Sequence, residues 1–191
     1  MKLGPPDRKE VAIVRHVAGL GSKRIAVFHE DNPFGDAGMR AAEDAVKKRN
    51  LTLVIRASSE PHTTYVKNAV SDVLSSKPDA GIMVSVAAAT AAFIKEYKAA
   101  GGGGYLFNIS TVNVESLTQQ APINVLQGLG ISQVIPFPYS ATLPVVAEYQ
   151  LLMNKYAPKG TKFSYSTMEG FLNAKVLVAV LGTTNEKAAQ A

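Results

Sequence analysis

Cysteine and tryptophan are both missing from the 191 residues. Without cysteine there can be no disulfide scaffold, thiolate metal site or cysteine nucleophile, although the redox compartment stays open. Aromatic residues make up only 7%, and the basic residues are scattered without a run of five. The stacking platforms and basic stripe of a nucleic-acid binder are therefore lacking, and no nucleic-acid partner is expected. Apolar runs are cut by Lys, Arg, Gly or Pro well before the ~18 residues a membrane span requires. The opening segment MKLGPPDRKE has no apolar stretch of the secretory-signal kind, so the chain is either cytosolic or has had its signal removed. Charge is sparse at 18% of residues, and 20 Lys+Arg against 15 Asp+Glu leave a net charge of +5.

Hydrophobic residues, by contrast, reach 47%, enough for a real core in one domain or two small ones. Their spacing repeats. Apolar positions from Glu10 to Leu20 recur at helical intervals and are followed by Gly21, where a helix commonly ends. Arg24 to Phe28 (RIAVF) is a short run rich in branched residues, as in a strand buried on both faces of a parallel sheet. Met39 to Asn50 predicts a helix with its basic cluster Lys47, Lys48, Arg49 at the end where the helix dipole favours cations. LTLVIRAS predicts a strand, Thr64 to Ser75 a helix, AGIMVSV a strand, AATAAFIKEYKAA a helix and YLFNIS a strand. Strands alternating with helices imply an α/β fold, a doubly wound parallel sheet with helices on both faces. Beyond Thr111 the pattern loosens into a short helix VESLTQQ, a glycine-broken strand VLQGLGISQVI and the loop PFPYSATLP. Two further helices follow, Val145 to Tyr156 and Thr167 to Leu181, and a polar tail covers 182–191. The second helix is so apolar that it demands a partner surface.

In such sheets ligands bind beyond the carboxyl ends of the strands. The first of these loops carries His29, Glu30, Asp31 and Asp36, which could serve acid–base or metal chemistry. The plainer alternative is that acids there cap the following helix, with Asp36 as the cap. The run GGGG and the segment GLG (Gly128 to Gly130) do not match a dinucleotide fingerprint, and GGGG is most simply a helix-ending turn. No G-x-S-x-G is present, and His16, His29 and His62 lack metal-ligand spacing, so neither catalytic residues nor metal nor cofactor is expected. Ser85, Ser110 and Thr111 sit at strand ends, where hydroxyls either donate to a carboxylate or carbonyl of a ligand or cap helices.

Taken in order, KRIAVFHEDNPFGDAGMRAAEDAVKKRN, PDAGIMVSVAAATAAFIKEYKAAG, ISQVIPFPYSATLPVVAEYQLLMNKY and YSTMEGFLNAKVLVAVL resemble the leucine/isoleucine/valine-type periplasmic solute-binding proteins of bacterial ABC importers. The resemblance runs from about Val11 to Leu181. It rests most specifically on Phe34-Gly35 before a helix, on Gln133 to Pro138, and on M-E-G-F at a helix start. It implies one lobe, the second, of a two-lobed clamshell, with 1–191 a fragment whose missing first lobe is its partner. It further implies a periplasmic location, delivery of a small-molecule ligand to the membrane permease of an ABC transporter, and no enzymatic activity. Position by position, a cleft aromatic falls on Phe34, a second on Val86, and the acid that receives a ligand's ammonium on Ser110. The last two depart from the family pattern. An ammonium would lose a charge-assisted hydrogen bond, typically about 1.5–3 kcal/mol, so a carboxylate or amide suits Ser85, Ser110 and Thr111 at least as well as an amino acid. The ligand-binding set so implied is His29, Phe34, Ser85, Val86, Ser110 and Thr111. Other roles for the same architecture are a ligand-sensing receptor or regulator module and a cytosolic enzyme of doubly wound fold. Deprived of a first lobe, Phe171 to Leu181 is expected to pair with a copy of itself.

Overall fold

The computed structural model describes residues 9–188, and the chain divides into two compact units at Val134. The first unit carries α1 (Lys9–Gly19), β1 (Arg24–Glu30), α2 (Pro33–Lys48), β2 (Thr52–Ser59), α3 (Lys67–Ser76), β3 (Ala80–Val84) and α4 (Ala87–Ala99). After these come β4 (Tyr105–Asn108), α5 (Val114–Gln120), α6 (Ile123–Leu126) and β5 (Leu129–Ile131). The five strands form one sheet in the order β2-β1-β3-β4-β5, parallel throughout. This is the α/β, doubly wound sheet that the strand–helix alternation predicts.

Side-chain alternation along β1 sorts the core. Ile25 and Val27 pack with Ile82 and Val84 of β3 beneath α1 (Ile13, Val14, Val17) and α2 (Ala42, Ala45, Val46). Ala26 and Phe28 face the other way, joining Met83, Val70 and Val73 of α3, and Phe93 and Ile94 of α4. The Phe28 and Phe93 rings stack with centroids 4.5 Å apart. Each central strand is therefore apolar on both faces, which is why RIAVF reads as a continuous run rather than an alternation. At the amino ends of the strands, the carboxylate of Asp79 accepts the backbone N–H of Lys23 at 2.8 Å and of Arg24 at 2.9 Å. Those two bonds hold its carboxyl below the usual carboxylate range.

Helix α2 begins at Pro33, well before the Met39 that the spacing predicts. Its cap is Asn32, not Asp36: the Asn32 side-chain oxygen accepts the Gly35 N–H at 2.8 Å. The two glycines that discourage a helix here are instead required by close packing. A Cβ on Gly35 would collide with the Glu30 carbonyl oxygen. The GGGG run ends α4, as expected of a turn, and Gly104 has a φ of +83°, where a side chain would be strained.

The second unit is two helices, α7 (Pro144–Tyr156) and α8 (Tyr165–Ala188). Its fully buried apolar residues among those described are Val146, Tyr149 and Met168. Helix α8 starts two residues ahead of the predicted Thr167 because Ser164 and Thr167 cap it reciprocally. Thr167 N–H donates to Ser164 Oγ at 3.1 Å and Ser164 N–H to Thr167 Oγ1 at 3.0 Å. Lys175 Nζ joins Glu148 of α7 at 2.7 Å. Beyond that point Val176, Leu177, Val178, Val180 and Leu181 are between 55% and 69% exposed. The polar stretch 182–191 continues α8 as far as Ala188, and 189–191 lie outside the described residues. No helix among the described residues is long and apolar enough to cross a membrane.

Candidate functional site

Strand order reverses at β1: β2 lies on one side of it and β3 on the other. The carboxyl ends of β1 and β3 therefore flank the topological switch point, where open α/β sheets receive ligands. From β1 the chain delivers His29, Glu30 and the Asp31–Asp36 turn to this rim, and from β3 it delivers Ser85 and Val86.

His29 is 7% exposed. Its Nδ1 lies 3.0 Å from the Glu30 carbonyl oxygen and 3.7 Å from Asp36 Oδ1. Donation of an Nδ1 proton to that carbonyl leaves Nε2 as the acceptor. Phe34, on the first turn of α2, is 41% exposed. Val86 is the N-cap of α4 and provides no side-chain cap. The first backbone N–H groups of α4, after Val86, thus lack the side-chain acceptor that α2 has in Asn32 and α5 has in Asn113. Ser110 is half-buried and Thr111 exposed, both just past β4.

Ser85 is fully buried, and its hydroxyl is taken up within the protein. Ser85 Oγ lies 2.8 Å from Thr90 Oγ1, and Asn108 Nδ2 donates to Thr90 Oγ1 at 2.6 Å. Asn108 Oδ1 in turn accepts the Ile109 N–H at 2.7 Å. This triad links the ends of β3 and β4 to the first turn of α4 and fixes where Val86, Ser110 and Thr111 sit. The sequence reading missed Thr90 and Asn108. The available signal was a polar residue inside an otherwise apolar helix face and strand.

Two further oxygens at the rim stand without partners. Glu30 is 1% exposed and Ser59 8%, and Glu30 Oε1 and Ser59 Oγ are buried with no hydrogen bond. The two residues are register partners across β1 and β2. Among the described residues no cluster of three or more acidic or histidine side chains has metal-site geometry. A groove of about 330 Å³ lies apart from the rim, lined by Ile13, His16 and Phe107 with Gly130 to Gln133.

A family model described as periplasmic binding protein matches residues 5–191. Among solved structures, a substrate-binding periplasmic protein from Ralstonia solanacearum superposes with a TM-score of 0.78 at 25% identity, covering 91% of this chain and 49% of its own. A possible leucine/isoleucine/valine-binding protein from Rhodopirellula baltica gives 0.82 at 23% identity, covering 92% and 48%. A leucine-binding protein from Thermotoga maritima gives 0.81 at 17% identity, covering 93% and 50%. The chain thus spans about half the length of the solved structures it matches. No curated protein matches it.

Proposed function

Because the chain belongs to the periplasmic binding protein family, we propose that it is part of the solute-binding component of a bacterial ABC importer. In this role it captures a small polar solute, an amino acid, carboxylate or amide, in the periplasm and presents it to a membrane permease, without chemical turnover. The observation that carries this reading is the rim between β1 and β3. There a switch point, an exposed Phe34 and an α4 start without a side-chain cap stand together. The backbone N–H groups after Val86 suit a carboxylate or carbonyl of the solute, assisted by the α4 dipole. Ser110 and Thr111 offer hydroxyls from the neighbouring strand end, Phe34 an apolar face, and His29 an acceptor nitrogen. Ser85 acts from within, by holding Thr90 and Asn108.

A first lobe would supply the opposite wall of the cleft and the cover for the exposed apolar face of α8. In its place a copy of this chain covers that face, so the isolated chain dimerises through Phe171 to Leu181. Light scattering at high protein concentration tests this, and a monomer would refute it. The solute role is tested by a thermal-shift screen of the two-lobed protein against amino acids, carboxylates, amides and nucleotides, with the solutes recovered and checked for chemical change. A ligand at about 100 times its Kd stabilises the folded state by about 2.7 kcal/mol, a shift of several degrees. Consumption of the solute would replace this reading with an enzymatic one.

A further inference from the structure

We propose that Glu30 and Ser59 form a subsite for the protonated amine of the captured solute; this deepens the solute-binding reading and rests on it. The two residues end neighbouring parallel strands in register. Both side chains lie on the sheet face that also carries Phe28 and Ala57. Parallel strands run about 4.8 Å apart, so a single nitrogen can bridge Glu30 Oε1 and Ser59 Oγ.

Both oxygens are buried and unpartnered: Glu30 Oε1 accepts hydrogen bonds, and the Ser59 hydroxyl can accept one or give its own proton. A buried carboxylate is costly unless a charge or several donors meet it. Several other acids among the described residues have such partners: Asp79 takes two backbone N–H groups, Glu43 takes Arg56 and Lys47, and Glu148 takes Lys175. Glu30 has only a 3.4 Å contact from Asn32 Nδ2 to its second oxygen. A local rule broken in this way, at a ligand rim rather than in mid-sheet, is what a functional position looks like. A compact donor that carries positive charge would satisfy both oxygens at once. A primary ammonium meets that description, with three N–H groups on one atom.

Asn32 is the cover. Its amide nitrogen rests on Glu30 at 3.4 Å, while its oxygen caps α2 at 2.8 Å. An incoming ammonium displaces the weak contact, and the short capping bond stays in place.

The test uses this chain, with butylammonium chloride and sodium butyrate as probes differing only in the charged end. Backbone amide spectra are recorded through each titration. Butylammonium should shift the amides of Glu30 and Ser59 in a saturable way. Glu30→Gln, which keeps the shape and removes the charge, should weaken that response at least about tenfold while leaving any butyrate response unchanged. Ser59→Ala should weaken the butylammonium response to a smaller degree, and serves as the independent check on a mild change. An unaltered butylammonium response in Glu30→Gln, or none in the unsubstituted chain, would overturn the subsite. If butyrate or another solute still binds at the rim, the solute-binding reading survives that failure. If no solute in the wider screen binds either, both fall.

Discussion

The two units of this chain are built from similarly apolar sequence, yet they use it in opposite ways. In the sheet unit, β1 and β3 are covered on both faces, and Phe28, Ile82 and Met83 are 2% exposed or less. In the helical unit, the buried apolar cluster among the described residues is Val146, Tyr149 and Met168, and α8 exposes Val176, Leu177, Val178, Val180 and Leu181. The first unit is finished by its own sequence. The second carries an apolar helix face that stands exposed, and helical periodicity alone cannot say what covers it, since it reports only that a face is apolar. The contrast also bears on where function can sit: where the core is closed on both faces, the strand-end rim is the place an open α/β sheet offers a ligand.

The contrast breaks most sharply at Phe28. Its ring stacks on Phe93 inside a core with no room to collapse, so Phe28→Ala should cost about 3–5 kcal/mol, read from the midpoint of urea unfolding. A loss below about 1 kcal/mol would mean that the sheet unit is no better packed than the helical one. Next in size is Gly35→Ala. The new Cβ would meet the Glu30 carbonyl oxygen, which is backbone and cannot swing aside, so the start of α2 must move. The expected cost is about 1–3 kcal/mol, together with loss of solute response at the rim.

These positions show how much was legible. The strands were, because β-branched runs between turn signals have few other destinies in an α/β chain. The start of α2 was not: the spacing predicts a helix only from Met39, whereas Gly35 and Gly38 lie within it, where the Glu30 carbonyl and the Val84 methyls leave no space for a side chain. Tertiary contact overrode local propensity. At the candidate site, the strand-end principle selects loops that include those following β1 and β3, which the sheet order places at the switch point. What sequence could not supply was partnership. Ser85 reads as a free hydroxyl until Thr90 and Asn108 arrive from another helix and strand. Glu30 reads as an ordinary loop acid until the strand proves to extend through it.

A smaller effect follows from Asp79, which ties the amino ends of the sheet together. Its folded pKa is held below the ordinary value of 3.8 by the backbone N–H groups of Lys23 and Arg24. Its contribution is therefore present above the unfolded pKa and lost as pH falls through the folded one. Asp79→Asn should be less stable than the original chain at neutral pH, and the two unfolding curves should converge as pH drops below 3.8. Curves that stayed parallel down to strong acid would assign the tie to something other than the Asp79 charge.

The smallest expected effect on stability is the most informative about the helical unit. Leu177 is 58% exposed, so Leu177→Lys removes little buried area and keeps a good helix former. Its cost in a dilute chain should fall within about 0.5 kcal/mol. The same exchange in the sheet unit, at Leu117 with 2% exposure, would bury an unpaired ammonium. The two assays on Leu177→Lys should separate: unfolding of the dilute chain stays unchanged, while at high concentration the light-scattering mass falls from that of a pair of chains to that of one. A charge at the centre of an apolar contact costs association without touching the fold of either copy. If the mass stays constant, the dimer is not built on this face. If instead the unfolding midpoint drops, α8 is already buried in solution and the contrast between the two units is smaller than the exposed side chains make it.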